Sequence, residues 1–171
     1  MQRLTQEGLL VSIKNRGLFV VELTEADVRD IYLAREAIER SAAQEIFRSG
    51  NPERAGGRLI KVWRDMERAG KRNDVVAMGQ WDVRFHECLV AQAKSPRLSR
   101  IHRTLMTETK LCINALGGSY PPPDERVPEH KALAEAMRDG DLERFDRLLV
   151  AHMADAVGRL AKVVPPVANK P

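Results

Sequence analysis

The stretch Asp74-Val75-Val76-Ala77-Met78-Gly79-Gln80-Trp81-Asp82-Val83-Arg84-Phe85-His86-Glu87-Cys88-Leu89-Val90-Ala91-Gln92-Ala93, closed by Ser95-Pro96, decides how this chain is read. Met78, Phe85, Leu89 and Ala93 recur at helical spacing, and Asp74 is a good N-cap. Ser95-Pro96 breaks this helix and starts another, because proline fits a first helical turn. Asp82 and His86 lie four residues apart on the same apolar stripe, so both face the expected core. Ionisable groups there are costly unless they are paired or bound to a metal.

Working outward, the same periodicity continues on both sides. Thr24 caps a long first helix, with Asp27 as its capping-box partner, and Val28, Ile31, Tyr32, Ile38, Ala42 and Ile46 mark its face. Ser49-Gly50-Asn51-Pro52 ends it. A second helix carries Leu59, Ile60, Trp63 and Met66 and ends near Gly70. After Pro96 a fourth helix runs through Leu98, Ile101, Leu105 and Cys112, and the stretch from Gly117 to Pro123 reads as a loop. A fifth helix is expected from about Pro128 to Met137, and a sixth, capped by Asp141, to about Val163, where Pro165-Pro166 stops it. Ahead of these, Gln2 to Gly8 reads as the end of a helix. Leu9–Ile13 and Leu18–Val21 flank the turn Lys14-Asn15-Arg16-Gly17 as a β-hairpin. The fold class is therefore all-α: an antiparallel bundle of about six helices joined by short links, preceded by a short hairpin.

At 171 residues and 43% hydrophobic, the chain is long enough to bury one sizeable core. The net charge of +4 is too mild to indicate nucleic acid by itself. No apolar run approaches the roughly 18–20 residues that span a bilayer, and the first residues lack a signal-peptide core. A cytoplasmic protein is expected, with Cys88 and Cys112 as core thiols rather than a disulfide.

The informative residues are the polar ones on apolar faces. His130 is in register with Leu133, Ala134 and Met137, and His152 with Phe145, Leu148, Leu149 and Ala156. His102 lies beside the Leu98/Ile101/Leu105 stripe and is less clearly inward. One carboxylate and three imidazoles from three helices make a reasonable set of ligands for a divalent cation: zinc, nickel, manganese or iron. The ordinary alternative is a structural histidine with a hydrogen-bond partner, and an Asp82 paired to His86 or an arginine. Arg35 lies between Ile31 and Ile38. It either binds an anion or pairs with Glu39 at i+4. Lys110 and Asn114 on the fourth helix are weaker candidates for ligand contact.

Three stretches together carry a family resemblance. The first is Arg3-Leu4-Thr5-Gln6-Glu7-Gly8-Leu9-Leu10 with Asn15-Arg16-Gly17-Leu18-Phe19-Val20. The second is Thr24 to Ala43. The third is Asp82-x-x-Phe85-His86, Ser95-Pro96, Glu129-His130, Gly140-Asp141 and His152. With these the chain resembles the GntR-type bacterial transcription regulators of the FCD subfamily, whose effector domain is all-helical. The resemblance implies that residues 1–22 are the remnant of a winged-helix domain, residues 23–164 the effector-binding bundle and residues 165–171 a tail. It implies a divalent metal on Asp82, His86, His130 and His152, with Arg35 as the clamp for a small organic acid. Lys110 and Asn114 are further candidates for effector contact, and Lys14 and Arg16 are DNA-contacting residues at the wing tip. It also implies a homodimer. A complete member carries about 60 further residues, by the size of a winged-helix module. Met1 then falls inside the end of the recognition helix. Operator DNA is accordingly expected as the partner of the full-length parent, since base-specific readout needs that helix.

Three functions compete: an effector sensor, a metal-free dimerisation bundle, and a metal-dependent hydrolase. The last lacks a zincin-like H-E-x-x-H. Glu87 and Glu129 adjoin ligand candidates, but helix neighbours point about 100° apart.

Overall fold

The computed structural model describes residues 10–13, 17–20, 23–116 and 122–164. Leu10–Ile13 (β1) pairs antiparallel with Gly17–Val20 (β2), with Leu10 opposite Val20 and Ile13 opposite Gly17. The expected turn residues Lys14, Asn15 and Arg16 lie outside the described residues. So do the expected helix end at Gln2–Gly8, the loop 117–121 and the tail 165–171.

The remainder is helical: α1 (Glu25–Arg48), α2 (Pro52–Lys71), α3 (Val75–Gln92), α4 (Pro96–Leu116), α5 (Pro123–Arg138) and α6 (Leu142–Leu160). Local chemistry sets the starts. Thr24 and Asp27 form a reciprocal capping box, with Thr24 N–H donating to Asp27 at 2.8 Å and Asp27 N–H to the Thr24 hydroxyl at 3.3 Å. Asp74 accepts from Ala77 N–H and Asp141 from Arg144 N–H, each at 2.9 Å. Gly140 takes φ of +75° in the α5–α6 turn, a conformation that side chains disfavour.

Helix α1 packs against α3, α4 and α6, whereas α2 lies mainly against α3 and α5. The shared core holds Leu59, Met78, Phe85, Leu89, Leu133, Phe145 and Leu149. Each such side chain contributes about 1.5–3 kcal/mol by leaving water. Arg40 reaches from α1 to grip both oxygens of Asp146 on α6, at 2.6 and 2.8 Å.

Two elements depart from the sequence reading. Helix α5 begins at Pro123, five residues before the expected start at about Pro128. Pro123 occupies the first turn, where its missing N–H has no partner to lose, and Asp124 and Glu125 follow at the positive end of the helix. Pro128 is then inside the helix, where it forgoes a bond to the carbonyl of Asp124. In α4 the buried face is His102, Met106, Thr109 and Cys112, while Ile101 is exposed. Of the expected stripe, Cys112 is buried and Leu98 packs partly buried against the core, whereas Ile101 faces away from it.

Helices α2 and α5 approach most closely at Gly56, where an added Cβ would lie 2.3 to 2.5 Å from the backbone N, Cα and Cβ of Arg138. Neighbouring Gly57 meets nothing within 4 Å. Alanine at these two positions should have opposite effects in urea unfolding. Gly56→Ala should cost about 1–3 kcal/mol or more through the clash. Gly57→Ala should gain about 0.5–1 kcal/mol from helix propensity.

Candidate metal centre

Helix α3 presents Asp82 and His86, α5 presents His130, and α6 presents His152. The helical i, i+4 spacing puts the first two on one face, as the sequence required. All four are buried, and one ligand atom from each lies within 4.8 Å of every other. The His86 and His130 Nε2 atoms stand 3.5 and 3.9 Å from the two oxygens of Asp82. The His86 and His152 Nε2 atoms are 3.1 Å apart. Phe85 packs edge-on to His130 at 4.8 Å between ring centres and holds that ring in place.

The groups behind the rings decide what the rings can bind. His86 Nδ1–H donates to Glu39 Oε2 at 2.6 Å, and His130 Nδ1–H donates to the Arg126 carbonyl at 3.0 Å. Both acceptors lack protons, so each of these two rings carries its lone pair on Nε2. For His130 that Nε2 is buried and has no hydrogen-bond partner. His152 Nδ1 lies between an acceptor and a donor: Glu129 Oε2 at 3.1 Å and the Arg126 guanidinium at 3.2 Å. With its proton on Nδ1 it donates to Glu129 and turns a third lone pair toward Asp82. With its proton on Nε2 it donates to His86 and accepts from Arg126.

Charge follows the same pattern. Burial alone would raise the Asp82 carboxyl, but His130, Arg126, His86 and His152 outweigh it and hold it well below the usual carboxylate range. Burial brings His130 down to about 4 and carries His152 well below its ordinary value, with Arg126 adding to the effect on both. At neutral pH these two rings are uncharged, the form in which imidazole ligates a metal.

Residues 30–155 match the FCD domain, a stretch that contains all four residues of the cluster. The chain belongs to the FCD domain family. FCD domains are regulatory domains rather than enzymes. A curated relative is an uncharacterized HTH-type transcriptional regulator of Agrobacterium vitis, from the TAR-I ttuE-ttuC' intergenic region. It is 34% identical over 97 residues, which cover 54% of this chain and 56% of that protein. The match thus spans little more than half of that relative. Among solved structures, E. coli McbR/YncC is similar with a TM-score of 0.82 at 16% identity, covering 94% of this chain and 81% of that one. A putative transcriptional regulator GntR from Rhodococcus sp. RHA1 has a TM-score of 0.76 at 19% identity, over 94% and 76% of the two chains. At these identities the likeness concerns the fold.

Within this FCD bundle, the residues named from sequence fall in three places. Asp82, His86, His130 and His152 come together. Arg35, fully buried, takes the i+4 pairing: Glu39 Oε1 accepts from its NH2 and Nε at 3.2 and 3.3 Å, and the guanidinium lies 4.7 Å from the Tyr32 ring centre. Lys110 and Asn114 line a groove of about 750 Å³ between α3 and α4, with Trp81, Arg84 and Glu87. That groove lies on another face of α3 from Asp82 and His86. Lys14 and Arg16 lie outside the described residues.

Three residues at the centre were missed or underread. Arg126, buried on α5, sits 3.4 Å from Asp82 and 2.8 Å from Glu129. It lies between the expected loop, Gly117 to Pro123, and the expected helix start at about Pro128. Glu39 was noted only as a partner for Arg35, and its place on the α1 stripe was the available signal. His102 is buried and donates Nε2–H to Glu39 Oε1 at 3.1 Å.

Burial would raise the Glu39 carboxyl, yet His86, Arg35 and His102 hold it well below the usual range. The Arg35–Glu39 pair is thus a buried ion pair. Glu39→Leu, which leaves the Arg35 cation alone, should cost about 3–5 kcal/mol in urea unfolding. Arg35→Met/Glu39→Leu should recover most of that loss. A double variant no more stable than the single one would refute the pairing.

Proposed function

We propose that this chain is the effector-sensing part of a GntR-type transcription regulator. It holds a divalent metal ion on Asp82, His86, His130 and His152 and takes a small organic acid at that centre. The observation that carries the reading is the buried lone pair of His130 Nε2. It has no donor and points into the space where Asp82 and the other two imidazoles converge. A cation satisfies that atom, and a neutral imidazole–carboxylate donor set suits zinc, nickel, manganese or iron. Four protein ligands fill a tetrahedral zinc shell, whereas the six-coordinate ions keep positions for the oxygens of an acid.

In this reading residues 23–164 are the sensing bundle, and residues 1–22 are the remnant of a winged helix whose wing is the β1–β2 ribbon. The parent is a cytoplasmic homodimer that binds operator DNA. The effector acts by binding the dimer's two states with different affinity. Among the described residues no helix is long and apolar enough to cross a membrane.

A metal-free dimerisation bundle is the second reading, and one observation favours it. With its proton on Nε2, His152 links Arg126 through His86 to Glu39 in a complete hydrogen-bonded chain that needs no ion. Metal analysis by mass spectrometry, on protein purified without chelator or a nickel column, separates the two. The sensor reading predicts near-stoichiometric metal in the wild type, lost in His130→Ala/His152→Ala. It also predicts that small carboxylates raise Tm only in the metal-loaded form. The bundle reading predicts no metal after reloading with zinc, nickel and manganese, and a His130→Leu variant at least as stable as wild type.

A further inference from the structure

We propose that Glu39 is the positioning residue of this centre: its carboxylate holds the His86 Nδ1 proton and so aims the Nε2 lone pair at Asp82, while His102 and Arg35 fix the carboxylate itself. The inference rests on the metal reading above and concerns a residue that ligates nothing.

The geometry is specific. Glu39 has no exposed surface and spends both oxygens inside the bundle. Oε2 takes the His86 proton at 2.6 Å, the short contact typical of a charge-assisted bond. Oε1 takes His102 at 3.1 Å and Arg35 at 3.2 and 3.3 Å. One carboxylate on α1 thereby ties α3 and α4 together and leaves His86 a single tautomer. Without it, His86 has a competing choice, because Asp82 Oδ1 stands 3.5 Å from Nε2 and can accept a proton placed there. That alternative would cover the lone pair a metal needs. Arg35 keeps the Glu39 carboxylate in place beside His86. Outer carboxylates of this kind typically change metal affinity 10- to 100-fold.

Two readouts on the full chain test the proposal. The first is the tautomer of His86 in metal-free protein, from nitrogen-15 shifts of the imidazoles by NMR. The second is zinc affinity by competition with a chromogenic chelator. Wild type should show the Nδ1–H tautomer. Arg35→Met/Glu39→Leu removes acceptor and counter-charge together. It should lose that tautomer and bind zinc about 10–100-fold more weakly. Arg35→Met/Glu39→Gln keeps an oxygen acceptor and should regain the tautomer and part of the affinity. It also serves if the leucine variant fails to fold. A purely structural role would lower stability while leaving the tautomer and the affinity of the folded protein unchanged. A wild-type His86 protonated on Nε2, or a folded leucine variant with wild-type tautomer and affinity, overturns the proposal. Wild-type protein with the Nδ1–H tautomer but no zinc, nickel or manganese binding overturns instead the metal reading beneath it.

Discussion

An ionised carboxylate at the centre of an apolar bundle is the constraint to which the rest of this structure answers. Asp82 is almost fully removed from water, and an unpartnered charge there would be driven to protonate. The bundle keeps it charged with the Arg126 guanidinium, 3.4 Å away, and surrounds it with three imidazoles from three helices. Each of those partners then needs its own partner. Glu39, Glu129 and the Arg126 carbonyl supply them, and Glu39 in turn requires Arg35 and His102. The polar centre is therefore a network that reaches five of the six helices, with α2 standing outside it. Such a network is tolerable only where nearly every donor and acceptor is matched, which makes the unmatched Nε2 of His130 informative.

The apolar part of the fold can be read as the shell that holds this network in register. Phe85 sits beside its own neighbour His86 in sequence but presses on His130 from the adjacent helix. Gly56 lets α2 lie directly against the backbone of α5 at Arg138, and the Trp63 Nε1–H bonds the Val127 carbonyl at 3.0 Å. These two contacts from α2 hold α5 at Val127, within the segment that carries Arg126, Glu129 and His130, and at Arg138, about two turns beyond it. Helix α2 thus shapes the centre without contributing a side chain to it.

Helical periodicity made the buried Asp/His cluster legible in the sequence. Asp82, His86, His130 and His152 each stand among apolar residues at the spacing of one face, and a face is what periodicity reveals. It does not reveal which helix lies opposite, so Glu39 was visible as a partner of Arg35 but not of His86, which lies 47 positions along the chain. Arg126 was lost for another reason. Pro121-Pro122-Pro123 and Pro128 together read as a break, and only the accommodation of Pro128 within α5 carries the buried face back to residue 126. His102 was underread because α4 has aliphatic residues on two sides. The bundle buries the side bearing His102 and Thr109, whose polar groups find Glu39 and the Leu105 carbonyl. In each case the missing information was tertiary: which polar group a buried polar group would meet.

The same connectivity limits how an occupant of the centre could act on the remainder of the protein. A ligand shifts an equilibrium only by its differential affinity for the two states, so something that differs between states must touch it or touch what it touches. On the outer surface of α3, Glu87 meets Lys110 across the groove at 3.6 Å. Helix α4 has a link to the centre through His102 to Glu39 to His86, and α1 has one through Glu39 itself. Arg40 extends the reach of α1 to α6, the helix that carries His152, so the two ends of that path close on the same centre. A change in the position of His86 is therefore felt by α1 and α4 together, since one carboxylate cannot follow the imidazole without moving relative to His102 or Arg35. Glu39 is thus the point through which α1 and α4 are hydrogen-bonded to the centre.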